Sequence, residues 1–222
     1  MSKFASDTIK IIYFNVCAKA EHSKYMLAYK KVNFDCITPN DHFQMPWPEV
    51  KANGLVPFGQ LPLLLDGDFS LAQTGAIDRY VAKKLELYPN DDTEAAKVDE
   101  IYQAFCELDT INPIVNVYRD EQFAKKKEEF GSMAPPKLQR LAKMLGDAQF
   151  FCGRTEPSMC DFMGLHILQN ILRVEPSWLN AQPTLLAYVA RCQDLPNLKE
   201  YLKSCHVPVD IGTKPKLAPQ SI

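Results

Sequence analysis

The chain has no Cys-x-x-Cys pair, no apolar run of membrane-spanning length, no long basic block, no internal repeat and no low-complexity tract. Each absence excludes something. Its seven cysteines are odd in number and irregularly spaced, which suggests neither a disulfide framework nor a structural zinc site. His22, His42, His166 and His206 are dispersed, so metal catalysis has no ligand cluster to stand on. A formal charge of -2 without a basic stretch gives no reason to expect nucleic acid. Without a run of about 20 apolar residues, no membrane helix is expected. The opening residues, MSKFASDTIKII, lack the apolar segment of a signal peptide, so a reducing, cytoplasmic setting is expected. Serine-hydrolase and P-loop motifs are missing.

At 46% hydrophobic, the 222 residues can bury a sizeable core, as one large domain or two small ones. Before about residue 85 strands and helices alternate. Ile9 to Phe14 reads as a strand, Lys19 to Lys30 as a helix with Ala20, Tyr25, Met26 and Leu27 inward, and Val32 to Ile37 as a second strand. A Pro-rich loop is expected from Pro39 to Pro57, long enough to suggest function. The most informative stretch is GQLPLLLDGDFSLAQTGAIDRYVAKK, Gly59 to Lys84. Leu63 to Leu65 and Phe69 to Leu71 flank Asp66-Gly67, a strong hairpin-turn dipeptide. A helix then opens at Thr74-Gly75, with Ala76, Ile77, Tyr80, Val81 and Ala82 on its buried face and Asp78, Arg79, Lys83 and Lys84 outside. Main-chain groups beside Pro62 and free amides at a helix start suit a small peptide bearing a carboxylate.

After a linker at Tyr88 to Asp92 the pattern is helical. Thr93 is read as the cap of a helix through Ala96, Ile101, Phe105 and Leu108, bent near Pro113. A charged stretch from Glu121 to Glu129 follows, then a helix starting at Pro135-Pro136 and ending near Leu145-Gly146. Ser158-x-x-Asp161 resembles a capping box ahead of an apolar run, and two further helices end near Cys205. The tail from His206 to Ile222 is Pro-rich and expected to lie extended.

The ordered set of Tyr13, Trp47, Lys51, Gln60-Leu61-Pro62, Gln73-Thr74 and the Ser158 box resembles a cytosolic glutathione transferase from about Ile9 to Leu202. The similarity is to the tyrosine-type classes: the GQLP…DGD…LAQT string is pi-like and WPEVK at Trp47 to Lys51 is sigma-like. The resemblance implies an α/β thioredoxin-like domain over residues 1–85 that binds glutathione, then an all-α domain over 93–222 that contributes the electrophile pocket. It implies a homodimer that conjugates the glutathione thiolate to hydrophobic electrophiles, with glutathione a co-substrate and no cofactor or metal.

A free thiol of pKa ~8.5 is only a few per cent thiolate at pH 7, and the thiolate is the nucleophile. Lowering that pKa by roughly two units takes about 2.7 kcal/mol of preferential thiolate stabilisation. One hydrogen bond from a neutral phenol near a helix start is of that size. By resemblance Tyr13, at the end of the first strand, supplies it; without the resemblance, a buried tyrosine with a satisfied hydroxyl is the commoner reading. By resemblance Pro62 is cis and Leu61 meets the cysteinyl main chain, Gln73 and Thr74 hold the γ-glutamyl end, Trp47 and Lys51 reach the glycine carboxylate, and Gln60 adds a polar contact. Lys19 stands where pi-class relatives carry Arg, keeping the charge without the planar fork. Glu107, with Asp109 nearby, falls where such relatives lend an acid to the partner's γ-glutamyl amine. Phe58 matches the aromatic inserted into the partner subunit, and Arg79 and Asp99 resemble charged positions of that interface. Phe14, Val16, Val117 and Tyr118 are assigned to the electrophile pocket, or equally to the core.

Three other readings stay open. Cys17, expected at the start of the first helix where amide dipoles lower a thiol pKa, gives CAKAE a likeness to omega-class thiol transferases. Prostaglandin D isomerisation occurs among sigma-class relatives. Non-enzymatic binding of hydrophobic ligands is the third.

Overall fold

The structure, a computed structural model, describes residues 4, 5, 8–204 and 209–217. Its amino-terminal part is a four-stranded mixed sheet of order β2-β1-β3-β4, from strands β1 (Ile9–Ile12), β2 (Phe34–Ile37), β3 (Leu63–Asp66) and β4 (Phe69–Ala72). β1 runs parallel to β2 and antiparallel to β3, and β3 and β4 form the Asp66-Gly67 hairpin, with Leu64 opposite Leu71. Parallel strands need a crossover, and α1 (Glu21–Tyr29) supplies it. The alternation of β1 splits its apolar side chains. Ile9 and Ile11 join the main core, while Ile12 meets Leu63 and Ala72 on the other face beneath Phe43.

The segment expected to be one long loop holds helices. α2 (Pro39–Phe43) is capped by the Thr38 hydroxyl, which accepts from the Asp41 amide at 3.2 Å. α3 (Trp47–Ala52) starts with Pro48 in its first turn, a position where the missing N–H costs nothing. α4 (Thr74–Lys84) begins where expected, but its faces differ from the expectation: Asp78 is fully buried and Ala76 is exposed.

The carboxyl-terminal part is helical: α5 (Asp92–Cys106), α6 (Ile111–Asn116), α7 (Asp120–Leu145), α8 (Met159–Val174), α9 (Ser177–Asn180), α10 (Pro183–Gln193) and α11 (Leu198–Ser204). Asp91, not Thr93, caps α5, its carboxylate accepting from the Thr93 and Glu94 amides at 3.0 Å each. Pro135 and Pro136 lie inside α7 rather than starting a helix. The capping box at Ser158 is present: Asp161 accepts from the Ser158 amide at 2.8 Å, and α8 is buried along most of its length. α8 packs against α1, α5, α6 and α10 and joins both parts of the molecule. Cys205 and His206 to Pro208 of the expected helix end and tail lie outside the described residues, as do residues 218–222. The described tail is not simply extended, since Asp210 bridges Lys214 and Gly212 pairs with Arg119.

Candidate active site

β1 hands directly into Tyr13, whose amide donates to the Ile37 carbonyl at 3.0 Å and so fixes the residue at the sheet's end. The ring is buried, 9% exposed, and its oxygen accepts from the Lys19 amide at 3.3 Å. Burial pushes the phenol up to about 12, outweighing the opposing hydrogen bond from Lys19. Tyr13 is therefore neutral at physiological pH. With its oxygen already accepting, its hydroxyl proton is the part left to give.

Beside it lies an open cavity of about 330 Å³ lined by Phe14, Lys19, Trp47, Lys51, Gly59, Gln60, Leu61, Gln73 and Thr74. Seven of the residues that sequence reasoning assigned to glutathione meet there: Lys19, Trp47, Lys51, Gln60, Leu61, Gln73 and Thr74. α3 places Trp47 and Lys51 one turn apart. The Leu61–Pro62 peptide is cis. Gln73, at φ 73°, precedes α4, and its side-chain amide donates to Gln60 Oε1 at 3.4 Å. The first amides of α4 lie outside the helical ladder and open beside Thr74. The lining contains two lysines, a helix start and no acidic side chain, a set suited to a small molecule with carboxylates. Lys19 is also tied to Asp109 by a 3.0 Å ion pair.

Tyr13 itself lines an adjoining cavity of about 430 Å³, with Phe14 shared between the two. Val16 lines this second cavity. Val117 and Tyr118, which follow α6, are not among the residues lining either of these two cavities. Sequence reasoning missed Glu21, Lys24, Cys36, Thr38, Tyr201 and Ser204, which line this cavity with Tyr13. Glu21 and Lys24 form a buried pair at 2.5 Å, and although burial opposes the Lys24 charge, Glu21 and neighbouring thiols hold its pKa above the usual lysine value. A charged pair at i and i+3 in a helix reads as solvent-facing, so nothing in the local sequence flags it.

Cys17 stands elsewhere than expected. The first helix starts at Glu21, four positions later, so the thiol is not at a helix start; it is buried and lines the Tyr13 cavity. Two of the histidines have structural partners: His22 bonds Asp78, and His166 bonds Asn112.

Glu107 lies in neither cavity; it is exposed and paired with Lys137 of α7. Phe58 is 75% exposed in a short 3-10 turn, Pro57–Gly59. Arg79 and Asp99 pair within the chain at 3.0 Å, and Tyr88 donates to the same carboxylate at 3.0 Å. Among the described residues no group of three or more His, Cys, Asp or Glu could hold a metal ion, and no helix is long and apolar enough to cross a membrane.

Comparison with known proteins gives matches along nearly the whole chain. A family model described as the glutathione S-transferase N-terminal domain matches residues 9–83, and one described as the C-terminal domain matches residues 108–205. Glutathione S-transferase Mu 3 of Mus musculus is 31% identical over 169 residues, covering 76% of each chain. Hematopoietic prostaglandin D synthase of Homo sapiens is 28% identical over 196 residues, covering 87% of this chain and 94% of its own. The solved structure of the Onchocerca volvulus Pi-class glutathione S-transferase superposes with a TM-score of 0.75 at 25% identity, covering 92% of this chain and 93% of that one.

Proposed function

The chain belongs to the glutathione S-transferase family and is a glutathione transferase, and from that premise we propose that Tyr13 ionises bound glutathione for attack on an electrophile. Glutathione lies in the cavity between α3, the β3 approach and the start of α4. Lys51 and Trp47 take the glycine carboxylate, Leu61 the cysteinyl main chain, and Gln73 and Thr74 the γ-glutamyl end; Lys19 and Gln60 line the same space. The thiol then lies against Tyr13, which keeps its own proton and donates a hydrogen bond to the sulfur. The thiol proton passes to solvent, and the thiolate's electron pair forms the new carbon–sulfur bond while the electrophile's leaving group departs with the pair of the bond it breaks, chloride in the case of 1-chloro-2,4-dinitrobenzene. One observation carries this reading: a neutral, buried phenol whose oxygen already accepts from Lys19, beside a cavity built for carboxylates.

Residues 1–85 provide the glutathione site and 93–222 complete the electrophile pocket, in which Phe14 and Val16 are met by Tyr201 and Ser204 of α11. The protein acts as a cytoplasmic homodimer. Phe58 enters a partner, and the groove between α5 and α7, where Ile101, Ala104, Leu141 and Met144 lie among Glu100, Glu107, Lys137 and Arg140, is of a size to receive it at about 230 Å³. Glu107 reaches the partner's glutathione on the same reading, and Arg79 and Asp99 border the interface.

The test is the rate of conjugation to 1-chloro-2,4-dinitrobenzene across pH. Tyr13→Phe is expected to lose up to about a hundredfold near neutral pH, the thiolate fraction forfeited with two pKa units, and to approach wild type above the free-thiol pKa of ~8.5. A near-normal Tyr13→Phe at neutral pH sinks the mechanism. Cys17→Ser is expected to stay active, because Cys17 lacks the helix start that would activate it. The similarity to a prostaglandin D synthase supports a second reading, isomerisation of a prostaglandin endoperoxide by the same thiolate, which product analysis decides.

A further inference from the structure

We infer that Asn116, the last residue of α6, is a positioning residue for the reaction: it reaches across from the helical part and holds the segment that presents the Lys19 amide to Tyr13. Its role presupposes the thiolate mechanism proposed above.

Residues 14–20 join β1 to α1 outside both elements, so no ladder of strand or helix bonds fixes them. Tyr13 nevertheless depends on one atom of this segment, the Lys19 amide that its oxygen accepts at 3.3 Å. That bond is already longer than the usual limit of ~3.2 Å, so a small drift of the segment loses it. Asn116 is 1% exposed, and its side-chain amide donates twice, to the Cys17 carbonyl at 3.1 Å and to the Asn112 carbonyl at 3.0 Å. The bond to Asn112 lies within α6, one turn back, and steadies the amide group. The bond to Cys17 crosses to the segment two residues before Lys19. These donations use both N–H groups of the side chain, and its Oδ1 is buried with no hydrogen-bond partner among the described residues.

α6 is itself anchored. Asn112 gives its amide to Asp109 at 2.5 Å, and its oxygen takes His166 Nε2 at 2.7 Å and the Asn170 amide at 2.9 Å, both from α8. The Leu217 amide donates to the Asn116 carbonyl at 3.0 Å. Asp109 holds the Lys19 ammonium at 3.0 Å. Asp109, Asn112 and Asn116, at spacings of three and four, thus form one polar stripe. Its two ends grip the segment from Cys17 to Lys19, one by a main-chain carbonyl and the other by a side chain. Position can be separated from charge because Asn116 carries none. The charged groups that act on Tyr13 are Asp109, before α6, and Lys24 and Glu21 of α1, and a change at Asn116 leaves all three in place. The Lys19 amide opposes the burial that raises the phenol, and a more acidic phenol is the better donor to a thiolate.

The test is conjugation of 1-chloro-2,4-dinitrobenzene across pH by wild type, Asn116→Ala, Tyr13→Phe and the double variant. The ultraviolet absorbance of the bound glutathione thiolate is titrated on the same samples. Asn116→Ala is expected to lose roughly tenfold in kcat/KM near neutral pH, as for a thiol pKa raised by about one unit, and to approach wild type above the free-thiol pKa of ~8.5. The thiolate titration should move up to match. In the Tyr13→Phe background the change at Asn116 should have no further effect, because its target is gone. A residue that only supports the fold would cost the same in both backgrounds. Asn116→Ser is the second variant, with the same expectation. Its hydroxyl can still donate to the Asn112 carbonyl one turn back, so α6 keeps that bond while the tie to Cys17 is lost. An unmoved thiolate titration in a folded variant, a loss equal at every pH, or full additivity with Tyr13→Phe overturns the inference. Failure of both variants to fold also overturns it, since Asn116 would then serve folding alone. A Tyr13→Phe with normal activity at neutral pH removes the mechanism itself. An impaired Tyr13→Phe beside an unaffected Asn116→Ala keeps the mechanism and removes the inference.

Discussion

Single residues carry the largest departures from what local pattern suggests, and Asp78 is the clearest. Helical spacing puts it on the outer face of α4, yet it is fully buried and accepts from Tyr102 at 2.7 Å and Ser23 at 2.5 Å, with His22 Nδ1 at 2.9 Å. Its partners come from α1 and α5, so its burial is a property of the packed molecule. Burial alone would lower the His22 pKa, but Asp78 overrides it and raises it. His166, its ring 5.2 Å away, is held neutral by burial and by the neighbouring His22 charge, its pKa well below the usual value. A raised histidine contributes stability that is complete below its unfolded pKa of ~6.5 and is lost as pH rises through the folded value. Asp78→Asn should therefore cost about 3–5 kcal/mol in acid, where a buried charge loses its partner, and less as pH rises past the folded His22 pKa. Urea unfolding at a series of pH values measures this; a deficit that does not change with pH would remove His22 from the account.

At the scale of elements, close packing of α8 decides more than helix propensity does. Gly164 of α8 faces Phe105 of α5 so closely that a Cβ would lie 2.7 Å from the ring. Alanine is the better helix former by about 1 kcal/mol, but the overlap is with a buried ring and should cost about 1–3 kcal/mol. Gly164→Ala is thus expected to be destabilising by thermal or urea unfolding, and a stabilised variant would mean that Phe105 has room to move. The same balance explains α7. Two prolines inside a helix remove ladder hydrogen bonds, whereas such a pair suits a helix's first turn. The helix runs through them because Phe130, Ala134, Leu138, Leu141 and Leu145 bury one continuous stripe on both sides of the pair.

For the whole molecule, the proposed pairing of two copies rests on surface chemistry. Phe58 is the most exposed of the large hydrophobic side chains among the described residues, at 75%, and Met144, on the groove between α5 and α7, is 55% exposed. Large apolar side chains left in water are commonly covered by a partner. Wild type should sediment as a dimer at micromolar concentration, and Phe58→Asp, which removes the large exposed aromatic and puts a hydrated charge in its place, should move it towards monomer. An unchanged sedimentation coefficient would place the interface elsewhere.

The sequence by itself determined what depends on neighbours along the chain. The Asp66-Gly67 hairpin, the start of α4 at Thr74 and the Ser158–Asp161 capping box follow from turn chemistry and from spacings of two to four residues. Trp47, Lys51, Gln60, Leu61, Gln73 and Thr74 line one cavity, and their link to one another is legible in the family pattern but not in spacing. Tertiary structure alone decided the rest. It turned the segment after Pro39 into two short helices and moved Cys17 off a helix start. It brought Tyr201 and Ser204 of α11 to Tyr13, and it buried Asp78 and Glu21. Those outcomes depend on contacts between residues far apart in sequence. A charged side chain in a helix has the same local signature whether it faces water or a packed neighbour, and only the fold supplies that neighbour.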